Sequence, residues 1–516
     1  MSEKKLTSLN KLSVACLVLF TISIYYTSLF HIARSDQVTY LAYFANHDTF
    51  FDLVINAQDY NRKPDVLGAI DKITYRPLTF MFLGLQRWLF GYDFLYWQLT
   101  SLVLHLAVIW QLYKLLYSIH PSIFAFLLTL FFASLCITME MVIWHHLSGF
   151  LLFIFISLII LNILYRIQQT QKLERQTLFL LFLYFLMECF LLELGMIFTF
   201  LFAVFIYIKT NEKKSLRLKK FLFLMFPCAL YLMSNLVNYQ LTCAGVDSIA
   251  ELPYAFNVGL TIKNTFFAFL WWILAALFPY LLKIETVQRM VVFAQHFRNY
   301  GLNVNILNSL LLCLLLYFCF KIYMHSINRK HLIKNRMFLF LTGCLSISTL
   351  LILSAARVNS RGFMTQISHN PYYSYYFWVY FIIFLYALVN FPAVSAMKNK
   401  RIIKILSIVI LTLLILFNGA CVAKQNLKRM LVHQQRYILF VKLNQLIKSH
   451  KSNNEPFSFR IDSELFNKPF SWLVKKDGKN KQNYTYFKLF YPKYYNETDP
   501  KYIFFDKGTE LYYITR

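Results

Sequence analysis

Acidic residues are scarce in this chain, with 24 Asp and Glu against 52 Lys and Arg in 516 residues. Charge of either sign makes up only 15% of the sequence, where soluble domains carry about 25%; an ordinary soluble domain is excluded. The nine cysteines show no metal-ligand spacing. Most of them (Cys16, Cys189, Cys228, Cys313, Cys319, Cys344) sit inside apolar runs, where they read as small buried hydrophobes, not thiolate ligands. No internal repeat of fixed period is visible, which speaks against an inverted-repeat transporter. The first apolar run follows Lys4, Lys5 and Lys11 but lacks a small-x-small cleavage site, so it reads as an uncleaved signal anchor. Glycine and proline are few, at 13 and 12, which with the short loops fits a protein of the bacterial inner membrane.

What the chain has in abundance is apolar sequence. Hydrophobic residues make up 58% and the mean hydropathy is +0.50. Many runs reach the ~20 residues that span a bilayer, so the sequence predicts an all-α polytopic membrane protein. The net charge of +28 would point to nucleic acid in a soluble protein. Here the cations cluster in short connectors, the pattern of cytoplasmic loops, and nucleic-acid binding is set aside.

The basic N-terminus stays inside, and a span over 12–32 leads out to Asp36. Residues 33–75 form a polar outer loop. Apolar spacing at Val38, Leu41, Tyr43, Phe44, Phe50, Phe51, Val54 and Ile55 predicts short amphipathic helices lying on the membrane surface there. Pro77 suits the first turn of a helix over 78–90. Spans follow at 94–116, 121–137 and 150–165. The run 177–208 divides into two short spans at Leu192–Gly195, which puts Glu193 outside, and 221–238 is the next span. Run 264–282 is expected to enter the membrane or lie in the interface without crossing, stopped by Pro279, because a crossing would put Arg329, Lys330, Lys334 and Arg336 outside. Spans at 306–323, 337–355, 376–394 and 402–420 bring the total to about eleven, N-terminus in and C-terminus out. Residues 421–516 are basic, rich in Tyr, Lys and Asn, and predict a small α/β extracytoplasmic domain. The expected division is therefore 1–420, transmembrane, and 421–516, outside.

The connector 138–149 carries Glu140, His145 and His146 between two uncharged apolar flanks. Ionisable groups at the mouth of a helical hairpin are costly beside lipid and tolerable beside a watery cavity, which makes them functional candidates. The same topology puts Asp36, Arg76, Glu193, Arg357 and Arg361 on that face. Carboxylates beside arginines at an outer-leaflet cavity suit one kind of reaction. A base takes a proton from an acceptor while cations hold a phosphate leaving group.

Several segments in order carry a family resemblance. Asp36 lies just after the first span. Tyr75-Arg76-Pro77-Leu78 precedes Gly91 and the helix Ser101–His105. Thr138-Met139-Glu140-Met141-Val142-Ile143-Trp144 is followed by Gly149. Leu192-Glu193-Leu194-Gly195 and Asn370-Pro371-Tyr372-Tyr373-Ser374-Tyr375 come next. In this order and sidedness the chain resembles the GT-C superfamily of polyprenyl-phosphate-sugar glycosyltransferases, most of all its protein O-mannosyltransferase-related branch. The resemblance implies a GT-C-type transmembrane bundle. It also implies inverting transfer of one sugar from a polyprenyl-phosphate donor to a protein, glycan or lipid acceptor on the extracytoplasmic face. Asp36 and Glu140 would be catalytic. Arg76, His145, His146, Glu193, Arg357 and Arg361 would bind substrate. Some relatives use a divalent metal; no metal ligand is assigned in this chain. A transporter or flippase of lipid-linked saccharides, and an inactive scaffold of the same fold, are the alternative readings.

Overall fold

The computed structural model describes residues 3–31, 49–56, 75–91, 93–243, 258–279, 333–356, 373–389, 400–450, 458–460, 474–476, 482–484, 502–506 and 511–515. The helices are α1 (Glu3–Tyr25), α2 (Pro77–Phe90), α3 (Phe94–Ile119), α4 (Ile123–Ser134), α5 (Met139–Ile143), α6 (Ser148–Thr170), α7 (Arg175–Leu191), α8 (Leu194–Lys209), α9 (Lys214–Cys243), α10 (Val258–Leu277), α11 (Ile333–Ala356), α12 (Ser374–Val389) and α13 (Lys400–His450). Among the described residues five helices are long and apolar enough to cross a membrane, and six if the bent pair Ile123–Ser134 with Cys136–Ile143 is one span. This fits a multi-pass membrane protein. Helices suit these segments because a bilayer offers no hydrogen bonds to the backbone, and a helix satisfies its own.

Helix α6 is the hub, packed along α3 and also touching α7, α8 and α2. It is apolar nearly all round, as a helix buried within a bundle must be. Phe153, Ile154, Leu158, Ile160, Leu161 and Leu164 are fully enclosed. Helices α11 and α12 pair on one side, α7, α8 and α9 on another, and α13 lies along α4 and α1. The predicted run 264–282 corresponds to α10, which packs Trp271, Trp272, Ala275 and Ala276 inward against α11 and the Cys136–Thr138 turn. The predicted span 306–323 lies outside the described residues.

Two expectations are realised at the residue level. Pro77 opens α2 in its first turn. The run 177–208 does split, where Leu192 turns extended between α7 and α8. Gly195 permits this tight reversal, since a Cβ there would collide with the Glu188 carbonyl. Of the outer loop, residues 49–56 are described. Thr49 and Asp52 bond to one another (Oγ1 to Oδ2, 2.6 Å) at the start of a single π-helical turn, Phe51–Ile55. Leu53 and Val54 are buried against α2, while Phe50, Phe51 and Ile55 are exposed.

Gly84 is where that turn meets α2, because a Cβ at position 84 would overlap the Leu53 carbonyl. Gly84→Ala is expected to destabilise the protein by about 1–3 kcal/mol through overpacking. Thermal unfolding in detergent would read this as a lowered midpoint, and an unchanged midpoint would remove the contact from the account.

One expectation changes. The connector 138–149 is not a loop facing solvent. The chain bends by 51° after Ser134 and continues through short helical turns to Leu147, and nearly every residue of that stretch is buried. The reason is composition: Ile137, Met139, Met141, Val142 and Ile143 have nothing to gain from water. Position 421 falls inside α13. No Pro or Gly occurs from 420 to 450, so nothing stops the helix where the composition turns polar. Beyond it, strands Ser458–Arg460, Val474–Lys476, Gln482–Tyr484, Tyr502–Asp506 and Leu511–Thr515 (β1 to β5) form an antiparallel sheet in the order β1-β5-β4-β3-β2.

Candidate functional site

The start of α2, the α7–α8 turn and the start of α6 meet at one end of the bundle. Arg76 precedes Pro77, which fixes the entry of the chain into α2. Its Nε donates to both carboxylate oxygens of Glu193, at 2.8 and 2.9 Å. The guanidinium also lies over the Phe150 ring, 5.2 Å from its centroid. Arg76 and Glu193 side chains are 26% and 36% exposed, so the pair sits in a partly open position.

The neighbourhood is built to hold Arg76 still. Tyr75 packs with Phe190 and Tyr231, and the Tyr231 hydroxyl donates to the Tyr75 carbonyl at 3.1 Å. Cys189 and Cys228, with sulfurs 3.8 Å apart, fill the space beside them. Thr79 donates to the Leu191 carbonyl at 2.6 Å and abuts Gly149, where a Cβ would come within 2.7 Å of its methyl. Gln86 donates to Ser148 at 2.8 Å. Helix α2 is thus fastened to both α6 and α7.

Glu140 lies on the buried connector. Its Oε1 accepts from Arg429 Nη2 at 2.9 Å, and the two side chains are 13% and 24% exposed. Arg429 belongs to a polar stripe on α13. Asn418 accepts from the Cys136 amide at 3.3 Å and donates to the Ala276 carbonyl at 2.8 Å. Gln425 reaches the Cys136 sulfur at 3.2 Å, and Asn426 donates to the Ile24 carbonyl at 3.1 Å. Gln98 from α3 completes the set by donating to the Val142 carbonyl at 2.9 Å. A broken span leaves backbone groups without helical partners, and in lipid other protein groups must supply them; Asn418 does so for the Cys136 amide and Gln98 for the Val142 carbonyl.

The predicted site residues therefore fall into groups. Arg76 and Glu193 are brought together, and Glu140 is brought to Arg429. His145 is buried with its ring stacked on Phe94 (centroids 5.9 Å apart), and His146 lies against Trp144 at 5.4 Å. Both imidazoles are buried, each against an aromatic ring. Asp36, Arg357 and Arg361 lie outside the described residues. Arg429 was not foreseen. The available signal was the spacing of Asn418, Gln425, Asn426 and Arg429, which repeats along one helical face. Among the described residues no group of three His, Cys, Asp or Glu side chains gathers in a way that could hold a metal ion. Comparison with protein-family models, with curated proteins and with solved structures finds no match to this chain.

The site lies away from the basic connectors. Lys172 and Arg175 lie at the far end of α6 and α7, and Lys209, Lys213 and Lys214 at the far end of α8 and α9. One end of the bundle carries mixed, paired charge and the other carries mostly cations.

Proposed function

We propose that the chain is an integral-membrane glycosyltransferase of GT-C type, moving one sugar from a polyprenyl-phosphate donor to an acceptor on the extracytoplasmic face. The supporting observation is that Arg76 and Glu193, 117 residues apart, meet at the bundle end opposite the basic connectors. The positive-inside bias assigns that end to the outer side. The finer topology of the proposal has about eleven spans, N-terminus in and C-terminus out. It also has an α/β domain outside, in a bacterial inner membrane.

In this reaction the acceptor heteroatom attacks the anomeric carbon from the face opposite the phosphate. The bond from that carbon to the phosphate oxygen breaks, and the configuration inverts. Asp36 takes the acceptor proton. The departing phosphate gathers charge, which Arg76 stabilises together with Arg357 or Arg361. Glu193 and Phe150 fix the plane of the Arg76 guanidinium, so little reorganisation is needed as charge develops. Glu140, held by Arg429, sets the position of the connector next to the acceptor path.

The test uses membranes incubated with a labelled polyprenyl-phosphate hexose. Wild type is expected to transfer label, and Asp36→Asn to lower transfer by about 10²–10⁴-fold, the usual span for a general base, with protein levels equal. Full activity of that variant would remove Asp36 from the mechanism. Failure of wild type to consume any donor would redirect the reading to transport of lipid-linked saccharides or to an inactive scaffold.

A further inference from the structure

The opposite end of the bundle holds a cavity of about 260 Å³ between the last turns of α3 and α6. Lys114, Ser118, Asn162, Tyr165, Arg166 and Thr170 line it with Gln169. Two cations line this space and no carboxylate does. Neither Lys114 nor Arg166 forms an ion pair among the described residues, and both are exposed. Asn162 is nearly buried, held by its amide on the Leu158 carbonyl at 2.8 Å and on Gln111 at 3.3 Å.

A second feature leads into the cavity. On α3, Tyr96, Leu99, Val103 and Trp110 are exposed apolar residues at steps that keep them on one helical face, and Lys114 and Ser118 continue that face. From Lys114 back to Val103 is about 16 Å along the helix. That is close to the ~15 Å depth of one leaflet of hydrocarbon. The strip continues to Leu99 and Tyr96, about 27 Å from Lys114; its part within one leaflet, Val103 and Trp110, ends in a polar pocket with two cations, at the headgroup level of the basic, cytoplasmic end.

We propose that this pocket binds the phosphate of an anionic phospholipid, with one acyl chain laid along the α3 strip. The cytoplasmic leaflet is where anionic lipids concentrate, and basic pockets between spans on that side suit their headgroups. Lys114 and Arg166 supply charge-assisted donors to the phosphate oxygens. The strip supplies the apolar contact that a soluble phosphate cannot use.

Native mass spectrometry of the full chain in mild detergent tests this directly. Added phosphatidylglycerol is expected to bind as a distinct retained lipid, and phosphatidylcholine with the same acyl chains to bind more weakly, since its quaternary ammonium opposes the two cations. The double variant Lys114→Gln, Arg166→Gln is expected to weaken phosphatidylglycerol binding about thirtyfold, at the strength each cation contributes near such a surface. The charge-matched control Lys213→Gln, Lys214→Gln removes two exposed cations elsewhere on the same side and is expected to bind as wild type does. Equal loss in the control would overturn the site in favour of diffuse surface attraction. Inorganic phosphate competing as well as the lipid would overturn the lipid assignment. Unchanged binding in the double variant, with an unchanged unfolding midpoint, would overturn the proposal outright.

Discussion

Arg76→Ala is expected to lower sugar transfer by about 10²–10³-fold, the usual loss when one preorganised donor to developing charge is removed. It is expected to leave the folded protein within about 1 kcal/mol of wild type. The contrast between the two effects is informative. With side chains 26% and 36% exposed, the Arg76–Glu193 pair is screened by solvent, and such pairs contribute little to stability. The contact over Phe150 adds about 0.5–1 kcal/mol at most. A large loss of transfer with little loss of stability therefore assigns Arg76 to phosphate binding. Arg76→Lys sharpens the result. It keeps the charge but not the planar guanidinium whose Nε bonds both Glu193 oxygens and whose face lies over Phe150, so it should recover only part of the activity. Equal losses of activity and of unfolding midpoint would instead make Arg76 a fastening of α2 to the α7–α8 turn.

Arg429→Ala should have the largest effect on stability, about 2–4 kcal/mol. Glu140 lies on a buried connector with its side chain 13% exposed. Taking away a guanidinium from such a carboxylate costs more than the pair itself contributes, because the carboxylate remains desolvated; partial exposure of Arg429 moderates the figure. Glu140→Gln in the Arg429→Ala background should recover much of the loss. A double-mutant cycle on the unfolding midpoints is then expected to give a coupling above about 1 kcal/mol. Additive losses would mean that the two side chains do not act on one another.

Where information is local in the chain, the sequence carries the fold well. Pro77 fixes the start of α2, and the divide at Leu192–Gly195 is visible because a run as long as 177–208 exceeds one span. The basic connector around Lys213 and Lys214 marks the start of α9 for the same reason. The contacts that make the site are not local. Arg76 and Glu193 are 117 residues apart, and Glu140 and Arg429 are 289 apart. Hydropathy cannot pair them, because it describes each helix alone. The stretch 138–149 was misread because its three ionisable groups outweighed its apolar majority. At 421 the composition turns polar while the backbone of α13 continues, and composition alone does not show where a helix stops.

The bend after Ser134 has a consequence for how the protein is made. Cys136 waits for Asn418, and Glu140 for Arg429, which are translated 282 and 289 residues later. At about 5–20 residues per second this delay is roughly 15–60 s. For that time the connector sits in the translocation machinery or the bilayer without the α13 groups that complete it. A nascent chain stopped before α13 would carry the Cys136 amide and the Glu140 carboxylate without their α13 partners. The connector is where membrane chaperones and proteases would distinguish a complete molecule from a truncated one.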